Sequence, residues 1–202
     1  MLTTSVLLGL GIALARRGDL RLLATHTFRF WWLFVLAFLL KFLISRSAGM
    51  DLPWLTELSG PLQTAIYAVV LAVLALNWVL PWIWMVMTGV AANLTVVAAN
   101  GGQMPVWEQA LVMLGKTASL ERLRSGGEVL HVSATDNTKL LFLGDWVPFP
   151  GPISAVVSPG DVVMALGIIL FINTVTQPSY QPADEALSPA TDNPPATPGD
   201  QR

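Results

Sequence analysis

The stretch from Leu58 to Trp107 contains no Asp, Glu, Lys or Arg, and its central part, residues 62–99, is almost continuously apolar. As one straight α-helix this central part would be ~57 Å long, nearly twice the thickness of a ~30 Å hydrocarbon core. Pro81 lies near its middle, where it suits the first turn of a new helix. The pattern therefore predicts two membrane-spanning helices, at about 62–77 and 80–99.

The composition of the whole chain points to the same class. Hydrophobic residues make up 53% and charged residues only 12%, whereas soluble domains are about 25% charged. The chain has no cysteine, which excludes a disulfide framework and a thiolate metal site. A net charge of -2 offers no basis for nucleic-acid binding. We therefore expect a protein whose main partner is the lipid bilayer.

Three further apolar segments predict helices: residues 1–15, 28–45 and 159–176. The first is shorter than the ~20 residues that a span prefers. The second carries Lys41 near one end, where a long side chain reaches the interface. The third begins with Ser158 as N-cap, Pro159 in the first turn and Asp161 at the positive end of the helix dipole. The predicted fold class is an all-α integral membrane protein with about five transmembrane helices.

The arginines that follow the first apolar segment predict the orientation: Arg16, Arg17, Arg21 and Arg29. We expect the protein in the cell membrane. By the positive-inside rule these arginines face the cytoplasm, which places the N-terminus outside. The chain then divides into a four-helix transmembrane region (1–99), an extracytoplasmic cap (100–158), a fifth helix (159–176) and a cytoplasmic tail (177–202). The proline-rich tail is predicted to be disordered.

The extracytoplasmic cap combines helical and strand-like patterns. An apolar stripe between Pro105 and about Arg124 predicts one or two short helices. Two apolar runs, at 129–132 and 139–143, flank a polar tip and predict a β-hairpin. We therefore expect a small loop region that contains a short helix and a β-hairpin.

Four motifs occur in and beside this segment: NGGQMPV at 100–106, His131 followed by DNTKL at 136–140, LGD at 143–145 followed by Pro148 and Pro150, and SPGDV at 158–162. By their order and spacing the chain resembles a family of small bacterial integral membrane proteins that is classed as a domain of unknown function. The resemblance covers residues 1–176 and implies the membrane class but no reaction or ligand. It marks these candidate residues: Asn100, Gly101, Gly102, Met104, Pro105, His131, Asp145 and Asp161.

These candidates have two interpretations. Asn100 can end a helix, and the glycines after it permit left-handed backbone angles. Asp145 and Asp161 can bind backbone amides in a turn and at a helix start. Alternatively, Asn93, Asn100, Asp145 and Asp161 form a polar pocket for a cation or a small ligand. The structural role is favoured, and the ligand role stays open.

The sequence contains no recognised catalytic constellation. His26 and His131 are predicted on opposite sides of the membrane, so they do not form a common metal site. Neither a nucleophile elbow nor a glycine-rich phosphate loop is present. We expect no enzymatic activity and no cofactor. The favoured role is a non-enzymatic accessory subunit of a membrane protein partner, or a small-ligand sensor. A small transporter or channel subunit is the alternative, and a membrane-embedded hydrolase is favoured less.

Overall fold

The computed structural model describes residues 2–25, 28–47, 53–151 and 154–180. The helices in this part of the chain are α1 (Leu2–Ala15), α2 (Arg21–Thr25), α3 (Trp31–Arg46), α4 (Pro53–Glu57), α5 (Ser59–Leu76), α6 (Ile83–Ala99), α7 (Glu108–Met113), α8 (Thr117–Arg124) and α9 (Pro159–Val175). The strands are β1 (Met104–Val106), β2 (His131–Ser133), β3 (Val147–Phe149) and β4 (Ala155–Val157). His26 and the tail beyond residue 180 lie outside the described residues.

The long helices pack in the order α3, α5, α6, α9 and α1. The tightest contact joins α6 to α9, where Gly89 lies directly against the carbonyl group of Gly160 and Gly167 lies against Val86. Gly9 provides a similar close approach between α1 and α9. Small residues let helix backbones approach closely, so these glycines explain why the predicted apolar segments assemble into one packed layer.

The prediction of five transmembrane helices is wrong. Within the described residues only α5, with 18 residues and a mean hydropathy of 1.7, is long and apolar enough to cross a membrane. Three other apolar helices are shorter, at 10–17 residues. Two of the predicted helices begin later than expected, at Trp31 and Ile83, because Phe30 and Trp82 adopt left-handed backbone angles that interrupt the helix. The fold is mainly helical, with two small sheets.

The predicted β-hairpin is also wrong. The strand at 131–133 pairs in parallel with β1, in the register Met104 to His131, whereas 141–143 forms a 3-10 turn. A second, antiparallel pair joins β3 to β4. The segment predicted to hold a short helix contains α7 and α8, which are separated at Gly115, a residue with a φ of 66°. The region between α6 and α9 is therefore built on pairings between distant parts of the sequence.

Candidate functional site

Asn100 ties the end of α6 to a distant loop. Its Oδ1 accepts a hydrogen bond from the Lys139 backbone N–H at 3.0 Å, and its Nδ2 donates to the carbonyl oxygen of Lys139 at 2.8 Å. The same Nδ2 also donates to the carbonyl oxygen of Val96. These bonds use both ends of the side-chain amide, so the geometry assigns Asn100 to the structure of the cap.

The residues after Asn100 bring α5 and β1 together. Gly101 and Gly102 have φ angles of 67° and 86°, which favour glycine. A side chain at Gly102 would overlap the backbone of Gly60, at the start of α5. Met104 and Pro105 are buried in β1. All four candidates in this stretch therefore shape the connection between α6 and the cap.

Asp161 takes part in a polar contact between α6 and α9. Its Oδ1 accepts a hydrogen bond at 2.8 Å from Nδ2 of Asn93, whose side chain is fully buried. The Ser158 hydroxyl donates to Oδ1 of Asn93 at 2.9 Å and accepts from the Asp161 backbone N–H at 2.9 Å. The predicted N-cap is therefore present, and the two helices are joined by a closed set of hydrogen bonds.

Asp145 is held in place by its backbone. Its N–H donates to the carbonyl oxygen of Pro105, and its own carbonyl oxygen accepts from the Trp107 N–H, both at 2.9 Å. The side chain is only 7% exposed, and its Oδ1 is buried with no hydrogen-bond partner among the described residues. Burial raises the pKa of Asp145 from 3.8 to about 7, although the charge of His131 opposes the shift. Asp145 is therefore a desolvated carboxyl group with an unused acceptor.

His131 lies between two carboxyl groups. Its Nε2 is 3.8 Å from Oδ2 of Asp145, and its Nδ1 is 3.8 Å from Oε2 of Glu128. Oε1 of Glu128 also forms an ion pair with Arg122 at 3.0 Å. His131 lowers the pKa of Glu128, and Arg122 acts in the same direction against the effect of burial. The arrangement is a row of alternating acidic and basic groups that ends at Asp145.

These groups line a cavity of about 200 Å³. Its polar lining consists of Lys116, Ser119, Glu128, His131 and Asp145, and its apolar lining consists of Val106, Leu111, Leu123, Ala155 and Val156. We name it the Asp145 cavity. No group of three or more His, Cys, Asp or Glu residues in the described ranges is suited to hold a metal ion. The cavity therefore offers charged groups and hydrogen-bonding groups.

The fold separates the candidate residues into three places. Only His131 and Asp145 line the Asp145 cavity, whereas Asp161 pairs with Asn93 and Asn100 pairs with a loop backbone. Lys116 and Ser119 could not be predicted as part of this site, because they come from the start of α8 and no sequence pattern links them to Asp145. Glu128 and His131 are three residues apart, which could have indicated that their side chains meet. The same spacing also occurs on ordinary exposed surfaces.

The packed apolar helices, together with a cap whose short helices and strands line an open, partly charged cavity, define a mainly helical protein with two small sheets. The chain belongs to a family of unknown function, DUF5317, which matches residues 25–173. This confirms the resemblance to a domain-of-unknown-function family, and the matched residues include the whole Asp145 cavity. An uncharacterised protein of Thermotoga maritima is 24% identical over 166 residues, which are 81% of this chain and 84% of that protein. No solved structure matches the chain.

Proposed function

We propose that this protein is a non-enzymatic membrane component that binds a small ligand in the Asp145 cavity, as a sensor or as an accessory subunit. The observation that carries this proposal is the buried, unpartnered Oδ1 of Asp145. A buried acceptor without a partner costs about 1–3 kcal/mol. A ligand that donates a hydrogen bond to this oxygen would remove that cost.

The carboxyl group of Asp145 contributes little to the structure of the cap. The hydrogen bonds that join Asp145 to Pro105 and Trp107 come from its backbone, which any residue provides. The side chain itself faces His131 at an ion-pair distance and is otherwise desolvated. A costly group that the fold does not need is typical of a functional site.

The contacts favour binding over catalysis. Both nitrogens of His131 are 3.8 Å from the carboxyl groups, which is longer than a hydrogen bond. Ser119 lines the same cavity, but it makes no hydrogen bond to His131 in the part of the chain that the structure describes. An activated serine needs a base within hydrogen-bond reach. These observations support a ligand site without a nucleophile.

A membrane location is part of the proposal. Large apolar side chains of α3 are exposed along its length: Trp31, Trp32, Val35, Leu36, Phe38, Leu39, Phe42 and Leu43. Soluble monomers rarely expose an apolar surface of this extent. Contact with lipid acyl chains accounts for it, and the arginines at the end of α1 then face the cytoplasm. The prediction is that the protein stays in the membrane fraction after an alkaline carbonate wash.

Native mass spectrometry of the full chain, extracted gently in detergent from its own membrane, tests the ligand proposal. We expect the wild-type protein to carry a bound small molecule of the same mass in every preparation, and the variant Asp145→Asn to lack it. The variant Asp136→Asn makes the same chemical change on the exposed cap surface and is the matched control. A protein that carries no small molecule, and that a metabolite library does not stabilise against heat, would refute the proposal.

A further inference from the structure

The Asp145 cavity contains polar groups of opposite charge that the fold leaves unpaired. Within the described residues the Lys116 ammonium group forms no ion pair, and the Ser119 hydroxyl forms no hydrogen bond. Oδ1 of Asp145 has no partner either. Lys116 and Asp145 line the same cavity without pairing with each other. The cavity therefore holds an unused donor set and an unused acceptor.

The donor set lies at the start of α8. Lys116 immediately precedes the helix, and Ser119 is in its first turn. The first N–H groups of a helix have no acceptor within the helix, and no side chain caps them here. They carry the positive end of the helix dipole, which favours an anion. Together with Lys116 and Ser119 they supply hydrogen-bond donors and positive charge that suit a carboxylate.

The acceptor is the carboxyl group of Asp145. A ligand ammonium group would donate a charge-assisted hydrogen bond to it, which is stronger than a bond between neutral groups. Glu128 lines the cavity as well and adds negative charge on the other side of His131. The acidic part of the lining therefore suits a cation, while the start of α8 suits an anion.

The apolar part of the lining limits the size of the ligand. Val106, Leu111 and Leu123 are buried and pack together behind the cavity. A volume of about 200 Å³ is below the roughly 300–1,000 Å³ of pockets that hold drug-sized ligands. The cavity therefore has room for a short aliphatic group.

We propose that the ligand is a small zwitterion, an amino acid with a short apolar side chain. Its carboxylate binds Lys116, Ser119 and the start of α8, its ammonium group binds Asp145, and its side chain contacts the apolar wall. This inference rests on the proposed function, because it names the ligand class of the same cavity. No covalent step is involved.

The site also predicts a dependence of binding on pH. Ammonium binding needs the ionised form of Asp145, and a pKa of about 7 leaves about one tenth of the free protein in that form at pH 6 and about nine tenths at pH 8. The charged groups around it are Glu128, His131 and Lys116 in the cavity, with Lys41 and Asp161 nearby. The affinity should therefore be about tenfold lower at pH 6 than at pH 8.

Isothermal titration of the full chain in detergent micelles tests this with a matched set of probes. L-valine carries both charges, isobutylamine lacks the carboxylate, and 3-methylbutanoate lacks the ammonium group. We expect L-valine to bind at least tenfold more tightly than either single-charge probe, because each loses one charge-assisted contact.

Variants locate the contacts. Asp145→Asn should weaken L-valine binding at least tenfold at pH 8 and remove its dependence on pH, and Lys116→Gln should weaken it while keeping that dependence. Asp136→Asn and Lys139→Gln remove the same charges outside the cavity and should bind as the wild type does. If Asp145→Asn does not fold, the probe series on the wild type and the affinity of Lys116→Gln for L-valine still test whether the ligand is a zwitterion.

The outcomes separate this inference from the proposed function. Equal affinity for L-valine and for either single-charge probe, or no binding of L-valine, overturns the zwitterion. If another small molecule then binds and is lost from Asp145→Asn, the ligand-binding function stands and only the ligand class fails. If nothing in the metabolite library binds, both fail.

Discussion

Replacing Asp145 with Asn should make the protein more stable at alkaline pH while it loses its ligand. In the folded protein the pKa of Asp145 is raised to about 7, whereas its ordinary value is 3.8. Between these values the folded state holds a proton that the unfolded state has released. Stability from this group is therefore fully present below pH 4, falls as the pH rises, and is lost by pH 7–8.

The magnitude follows from the shift in pKa. Each unit corresponds to about 1.36 kcal/mol, so three units correspond to roughly 4 kcal/mol in total, of which about 2–3 kcal/mol is lost between pH 5 and pH 8. An asparagine has nearly the same shape and stays neutral throughout this range. Between pH 5 and pH 8, the unfolding free energy of Asp145→Asn relative to that of the wild type should therefore rise by about 2–3 kcal/mol.

The assay is unfolding in detergent micelles, followed by tryptophan fluorescence, at pH 5 and at pH 8. Asp136→Asn is the control, since Asp136 is exposed and its replacement should change the pH dependence little. A difference between Asp145→Asn and the wild type that is constant with pH would show that the carboxyl group is not desolvated. The reasoning that identifies Asp145 as a costly functional group would then be refuted.

Three further predictions concern packing and orientation. Gly160→Ala should lower the unfolding free energy by about 1–3 kcal/mol in thermal unfolding, because the new methyl group would overlap the buried side chain of Asn93 in α6. Gly11→Ala is the control, since a methyl group there meets open space and should be neutral or stabilising. Asp161→Asn should change thermal stability by less than about 1 kcal/mol, because it keeps an Oδ1 acceptor, and a larger loss would show that the charge matters. Asn137→Cys, on the exposed surface of the cap, should react with an impermeant thiol reagent in intact cells, and a lack of labelling would overturn the placement of the cap outside the cell.

The helices could be located from the sequence because their signals are local. Apolar runs place the long helices to within a few residues, and Ser158 caps α9 as its position before Pro159 predicts. The helices α3 and α6 begin later than predicted, at Trp31 and Ile83, and a contact between distant residues holds the turn before α3. Asn77 accepts a hydrogen bond from the Arg29 N–H and donates to its carbonyl oxygen, which fixes a turn that periodicity does not reveal.

The candidate site was only half predictable. The motifs marked His131 and Asp145, but they equally marked Asn100 and Asp161, which the structure places in separate hydrogen-bond networks. Nothing in the pattern distinguished a carboxyl group that is paired from one that is left unpaired. That difference depends on which neighbours the fold brings within about 3 Å.

By itself, the sequence determined the helical class, the positions of the apolar segments and the absence of cysteine chemistry, because these depend on composition and on periodicity along the chain. Only the tertiary structure decided the rest. It paired β2 with β1 instead of forming the predicted hairpin, left α5 as the one described helix long and apolar enough to cross a membrane, and placed Asp145 and Lys116 in the lining of one cavity. Burial and partner choice arise from contacts between distant residues, and these contacts are what make Asp145 a candidate binding group.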